Sequence, residues 1–171
     1  MRKSVETSES VDKSVRMRLM RVSAKTDYAL RALLEMSSRT DGKPVSAEEL
    51  GRLQDIPHGF LQAILADLRK AGVVIAQRGQ SGGWRMNRDP QEVSVADVIR
   101  AVDGPLVSVY GVRPESVSYN EKAEVLQYVW IAARSSLREV FEKVSLAHLA
   151  SASLPDAVTS RTADEDAWQP H

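Results

Sequence analysis

Three side chains near the middle of the sequence carry most of its chemical information. His58 presents an imidazole, Gln62 an amide four residues later, and Arg78 a guanidinium in a turn that also holds Gly79, Gly82 and Gly83. An amide can bond both N6 and N7 of an adenine edge, and an imidazole can donate to a phosphate or a guanine. A cation among glycines suits the narrow minor groove, where the negative potential is enhanced. This is chemistry for holding DNA. Chemistry for transforming a substrate is not apparent: no Ser/His/Asp or paired-acid arrangement stands out. The glycine turn lacks the Lys-Ser/Thr pair and following helix of a nucleotide-binding loop. The chain contains 0 cysteines, which removes disulfides, thiol catalysis and thiolate-held metals. His148 and His171 have no partners at metal-ligand spacing. No enzyme activity, metal or cofactor is expected.

The elements that must position these groups are readable from pattern. Ser46, followed three residues later by Glu49, predicts a reciprocal capping box, and Ala47, Leu50 and Leu53 share one face of the helix it opens. Asp55-Ile56-Pro57 stops that helix, since Pro disfavours a helical residue before it. A second helix is predicted over about His58–Ala71, with Leu61, Ile64, Leu65 and Leu68 as its inward stripe and Gly72 as its end. Val73–Ala76 reads as a strand by β-branched content, and Trp84-Arg85-Met86 as its return, with Trp84 packing the hairpin onto the helices. Helix, turn, helix and glycine-tipped hairpin make a winged helix-turn-helix. The N-terminal part of its second helix, including Gly59, is then expected in the major groove.

Upstream, Leu30, Leu33, Leu34 and Ser37 predict a first helix over roughly Ala24–Arg39, with Ser23, Lys25 and Tyr28 at its start as candidate phosphate contacts. Ser46 and Arg52 join them at the next helix. Downstream, Ser94 caps a helix over about Val95–Val102. The segment 104–120 reads as a loop or loose hairpin. A long helix is predicted from Glu121 to about Val144. Leu126, Val129, Ala133, Leu137, Val140 and Val144 recur along it, and a second row including Trp130 and Phe141 widens the apolar face. A helix apolar on more than one side needs two partners, so this one is expected to form a homodimer seam. Ser145–Leu149 reads as a short terminal turn of helix.

Composition sets the frame. No run of about 18 apolar residues exists, so no membrane partner is expected, and the absence of cysteine suits the cytoplasm. The formal net charge of +0 conceals an asymmetry. Residues 1–21 carry six Lys/Arg against three acids, 22–90 ten against eight, and 91–171 seven against twelve. A cationic front half and an acidic rear fit a molecule that offers one side to a polyanion. Residues 1–19 read as a disordered extension. It is either an upstream translation start, since Met17 and Met20 follow, or a cationic tail.

Two stretches are specific enough to name a family. Leu65-x-x-Leu68-Arg69-Lys70-Ala71-Gly72-Val73-Val74, followed by Arg78-Gly79-x-x-Gly82-Gly83-Trp84, resembles bacterial regulators of the IscR, NsrR and CymR type, the "Rrf-two" family. Met20 to Leu33 is similar to that family's first helix, and Ile99-Arg100-Ala101-Val102-Asp103-Gly104-Pro105 to a later helix end. The resemblance covers about residues 20 to 150 and implies DNA contact at the wing. Many relatives hold an iron–sulfur cluster with three cysteines before the long helix. Here Pro105 to Asn120 has none, and Asp27, at a position where some relatives supply an oxygen ligand, cannot hold a cluster alone. The resemblance also implies sensing in this loop, where Tyr110, Arg113, Glu115 and Tyr119 are candidate contacts for an amino-acid-sized effector.

The expected fold is mainly α with a small β-wing: a winged helix-turn-helix domain plus a long dimerisation helix. Its parts are a disordered extension (1–19), a DNA-binding domain (20–103), a regulatory loop (104–120), a dimerisation helix with its terminal turn (121–150) and a disordered tail (151–171). The expected function is a cytoplasmic, cluster-free DNA-binding regulator, a repressor acting on a palindromic operator in double-stranded DNA as a homodimer, with a small-molecule effector or protein partner as its signal. The competing reading is a winged-helix interaction module that docks a protein.

Overall fold

The N-terminal helix α1 (Ala24–Ser37) starts where Ser23, in extended conformation, accepts a hydrogen bond from the Thr26 amide at 2.9 Å. The computed structural model describes residues 22–39 and 41–170. The expected 1–19 extension, Met20 and Arg21 of the family-like start, Thr40 of the first loop and His171 lie outside the described residues. Along α1, Ala29, Ala32, Leu33 and Met36 are buried at helical spacing.

Next, α2 (Ala47–Gln54) is capped by the Ser46 side chain, which accepts from the Glu49 amide at 3.1 Å. The predicted reciprocal half of the capping box is replaced, because the Glu49 carboxylate turns to Arg52 instead. Leu50 is buried, whereas Leu53 is exposed and not on the core face as expected. The turn into α3 (His58–Lys70) is made by Asp55 in the left-handed region, φ 51°, and by Pro57, which serves as N-cap. Leu61, Ile64, Leu65 and Leu68 are all fully buried, as the stripe predicts.

The wing is β1 (Val74–Gln77) antiparallel to β2 (Gly83–Met86), with Val74 opposite Met86 and Gln77 opposite Gly83. Val45 adds a short third rung: its amide donates to Trp84 O at 2.9 Å and the Trp84 amide returns a bond at 2.8 Å. That rung explains Gly83. A Cβ there would lie 2.6 Å from the Val45 carbonyl oxygen, so only glycine lets the wing seat against the lead-in to α2. Trp84 packs against the core as expected.

The helix α4 (Val95–Val102) carries a full capping box, Ser94 with Asp97. Beyond it, Val109 and Val112 pair in a small hairpin, with a 3-10 turn at Pro114–Ser116. The long helix α5 is shorter than expected, Val125–Phe141. Asn120 holds the preceding residues in tight turns: its Oδ1 accepts from the Ala123 amide, and Leu126 and Gln127 bond three residues back rather than four. After α5 the chain re-enters the first domain. Val144 O accepts from Val95 and the Leu146 amide donates to Val93 O. Val144 and Leu146 are therefore core residues. Val144, expected at the dimer seam, is not available to it. The short helix α6 (Leu146–Ala150) is capped by Ser145 and His148 bonding each other's backbone amides, and it packs on α1.

Residues 151–171 were expected to be a disordered tail. Instead Asp156–Thr162 forms α7, packed on α5, and a 3-10 turn follows at Glu165–Trp168. The acid in the first turn favours the helix, and Arg161 bonds Glu139 of α5 at 3.0 Å. Among the described residues, no helix is long and apolar enough to cross a membrane.

Candidate nucleic-acid interface

The outward face of α3 is the centre of the site. With its leucines and Ile64 turned inward, His58, Gly59, Phe60, Gln62, Ala63, Arg69 and Lys70 are exposed. No side chain caps its N-terminus. Nothing lies within 4 Å of the space a Gly59 side chain would take. An uncapped helix start with open backbone is a ready anion site, because its first N–H groups lack intrahelical partners.

The wing places Arg78 and Gly79 at an exposed tip. The other two glycines serve the protein itself. A Cβ on Gly82 would lie 2.3 Å from Gln77 O, so Gly82 closes the turn, and Gly83 seats the wing on Val45. Arg85 is exposed on β2 between inward Trp84 and Met86. The period-2 alternation of that strand carries this signal in the sequence.

At the start of α1 the expected phosphate contacts are mostly committed elsewhere. Ser23 Oγ donates to Asp103, and Thr26 Oγ1 donates to the same carboxylate oxygen at 2.7 Å. Lys25 Nζ bonds Asp67 at 2.5 Å and Val102 O at 3.0 Å. These polar atoms tie α1 to α3 and to the end of α4, so Ser23 and Lys25 fix the angle at which α3 is presented. Asp103 was the signal missed: a carboxylate accepting bonds at the N-terminus of a helix distant in sequence.

Tyr28 stands edge-on to Phe60, centroids 6.0 Å apart at 67°, and Arg31 lies over the Tyr28 ring at 5.5 Å. Phe60 thus joins α1 to the start of α3 while remaining 54% exposed. Its place off the leucine stripe marked it as outward. On α2, Ser46 and Arg52 are exposed. Arg52 forms a bidentate pair with Glu49, at 3.1 and 2.9 Å, and that hydrogen bond holds the Glu49 carboxyl below its ordinary range.

The loop residues expected to hold an effector do not converge as a set. Arg113 and Glu115 line a cleft of about 500 Å³. Tyr110 stands 80% exposed at the hairpin tip, and the Tyr119 hydroxyl accepts from Trp130 Nε1 at 3.1 Å.

Residues 22–152 match the Rrf2 family, described as iron-dependent transcriptional regulators. The chain belongs to the Rrf2 family. It is 39% identical over 145 residues to Rv1287 of Mycobacterium tuberculosis, whose name provisionally assigns it to the HTH-type transcriptional regulators. That match covers 85% of this chain and 90% of the relative. It is 27% identical to the HTH-type transcriptional regulator CymR of Bacillus subtilis, over 77% of this chain and 91% of CymR. The solved structure of B. subtilis CymR, called the global cysteine regulator, superposes with a TM-score of 0.66 at 26% identity, covering 79% of this chain and 99% of that one. T. potens IscR superposes with a TM-score of 0.62 at 27% identity, covering 87% and 96%. The winged-helix fold is shared with both structures. This Rrf2 chain is a DNA-binding transcriptional regulator and not an enzyme.

The family description names iron, and the donors present do not fit it. The chain has 0 cysteines, and among the described residues no three His, Cys, Asp or Glu side chains come together as a metal site. An iron–sulfur cluster needs thiolates, or thiolates with histidines.

Proposed function

We propose that this Rrf2 protein is a cytoplasmic repressor that binds a palindromic operator as a homodimer, without a cluster. The observation that carries the reading is α5. It is 17 residues long and none of them is buried, yet Val125, Leu126, Tyr128, Val129 and Ile131 are all exposed. Contiguous exposed apolar surface marks an interaction site. The occupant that needs no further component is the same helix of a second copy, with Trp130, Ala133, Leu137, Val140 and Phe141 at the flanks of the seam.

On this reading two α3 helices enter successive major grooves. Gln62 reads a base edge, and His58 and the open N-terminus at Gly59 meet phosphate. Tyr28, Ser46 and Arg52 position the duplex, and Arg78 with Gly79 enters the minor groove. Repression follows from occupancy of a promoter by such a dimer. The test is capture of genomic fragments by the purified chain, then gel-shift titration of the enriched fragment at increasing salt and transcription from it in vitro. Steep salt dependence and reduced transcript support the proposal. Salt-independent retention, or transcript unchanged at full occupancy, contradicts it.

A further inference from the structure

The cleft bounded by α4, the loop after it and α5 has a lining unlike the rest of the surface. Four arginines line it, Arg100, Arg113, Arg134 and Arg138, with Glu115 as the one lining acid and Leu106 on the wall. The carboxylates around it engage only part of this donor set. Glu115 takes one bond from Arg134 Nη1, at 2.6 Å. Glu142 takes one from Arg138 Nε at 2.9 Å and one from Arg100. Asp97 lies 3.8 Å from Arg100. Three carboxylates thus face four cations, and each guanidinium carries five N–H donors, so most donors are left for something else. The Arg113 side chain makes no hydrogen bond or ion pair among the described residues, and acts on Glu115 only through its charge.

A site with surplus fixed donors and a cationic excess selects a ligand made of acceptors. Guanidinium forks match the geometry of carboxylate and phosphate. A volume of about 500 Å³ falls within the range of small-molecule sites, and Leu106 offers apolar contact to a short body. We propose that this cleft binds a small organic anion, an acidic head on a short apolar body, with Arg113 as its primary contact. The cleft joins α4, which packs on α3 and α1, to α5. If the DNA-binding reading above holds, on which this consequence rests, a bound anion would reset the angle between α3 and the dimer seam. It can change DNA affinity only as far as it prefers one arrangement.

The experiment is calorimetric titration of the full chain with glutarate, phenyl phosphate and inorganic phosphate at matched ionic strength, with chloride as control. Saturable binding of glutarate or phenyl phosphate above chloride is expected, and the stronger of the two tells a carboxylate head from a phosphate head. Arg113→Gln removes no side-chain hydrogen bond or ion pair, so it should melt like the parent and bind the probe about tenfold or more weakly, the worth of one charge-assisted hydrogen bond. Absence of saturable binding at millimolar concentration overturns the proposal, and so does an unchanged affinity in Arg113→Gln. DNA retention is measured on the same preparations. A chain that binds the anion but no DNA removes the operator reading and leaves the cleft standing. A chain that binds DNA but no probe removes the cleft alone. Loss of DNA affinity in Arg113→Gln without anion binding would make Arg113 a phosphate-backbone contact and overturn the site.

Discussion

The two helices α3 and α5 are similar in apolar content and opposite in what they do with it. In α3, Leu61, Ile64, Leu65 and Leu68 are completely covered by the chain's own core, and the other face is polar and open. In α5, apolar residues are spread around the helix and none is buried. A helix whose apolar face is satisfied can devote its other face to a ligand. A helix whose apolar face is unsatisfied is an incomplete structure. On the proposed reading, α3 is finished by folding and α5 by association.

The largest expected effect tests that contrast directly. Leu65→Ala should cost about 2–5 kcal/mol of fold stability, as deletion of a fully buried leucine does, measured by denaturant unfolding. Val129→Ala on α5 should stay within about 0.5 kcal/mol in the fold of one chain. Val129→Glu should release monomers on a sizing column with light scattering. Equal losses of fold stability at the two positions would break the comparison.

The next pair uses glycines of the DNA-facing half. Gly83→Ala meets the Val45 carbonyl at a φ of 152° and should lose more than about 1 kcal/mol of stability. Gly59→Ala sits in α3 with open space around it. It should gain about 0.5–1 kcal/mol while weakening DNA retention, because the methyl group fills the approach to the backbone. Thermal melts beside gel shifts check both, and a Gly59→Ala protein that binds DNA as well as the parent would remove the helix start from the interface.

Smaller effects sharpen the site. Arg78→Ala should weaken binding across many sequences and reduce the salt slope by about one counterion, whereas Gln62→Ala should relax preference at one base position by about 1–3 kcal/mol. A competition assay over randomised operators distinguishes the uniform loss from the local one. The smallest effect is on pH. Arg138, and after it Arg100, hold the Glu142 carboxyl below its ordinary range. A depressed carboxylate contributes stability above its unfolded value and loses it as pH falls through the folded one. Parent and Glu142→Gln should therefore differ in melting temperature near neutrality and converge in acid.

Much of the DNA-reading half was legible because its order is local. The stripe on α3, the cap at Ser46, the helix end at Gly72 and the wing turn each follow from periodicity or from a residue acting on its neighbours. What was missed depends on distant partners. Ser23 and Lys25 looked free, and only the folded chain brings Asp103 and Asp67 to them. Val144 continued the α5 stripe in sequence, but the chain turns there and returns it to the core through Val95. The tail composition gave no sign of α7, whose tie is an arginine reaching back to Glu139. Arg100, Arg113, Arg134 and Arg138 are too far apart in sequence to suggest one cleft.

The central claim is that two copies joined through α5 present two α3 helices to one duplex. Sedimentation velocity of the complex with the captured operator, together with its footprint, tests this most directly. The account predicts two chains per duplex, with protected half-sites about 34 Å, or a multiple of that, apart. A complex holding one chain per duplex, or a footprint confined to a single half-site, would contradict it.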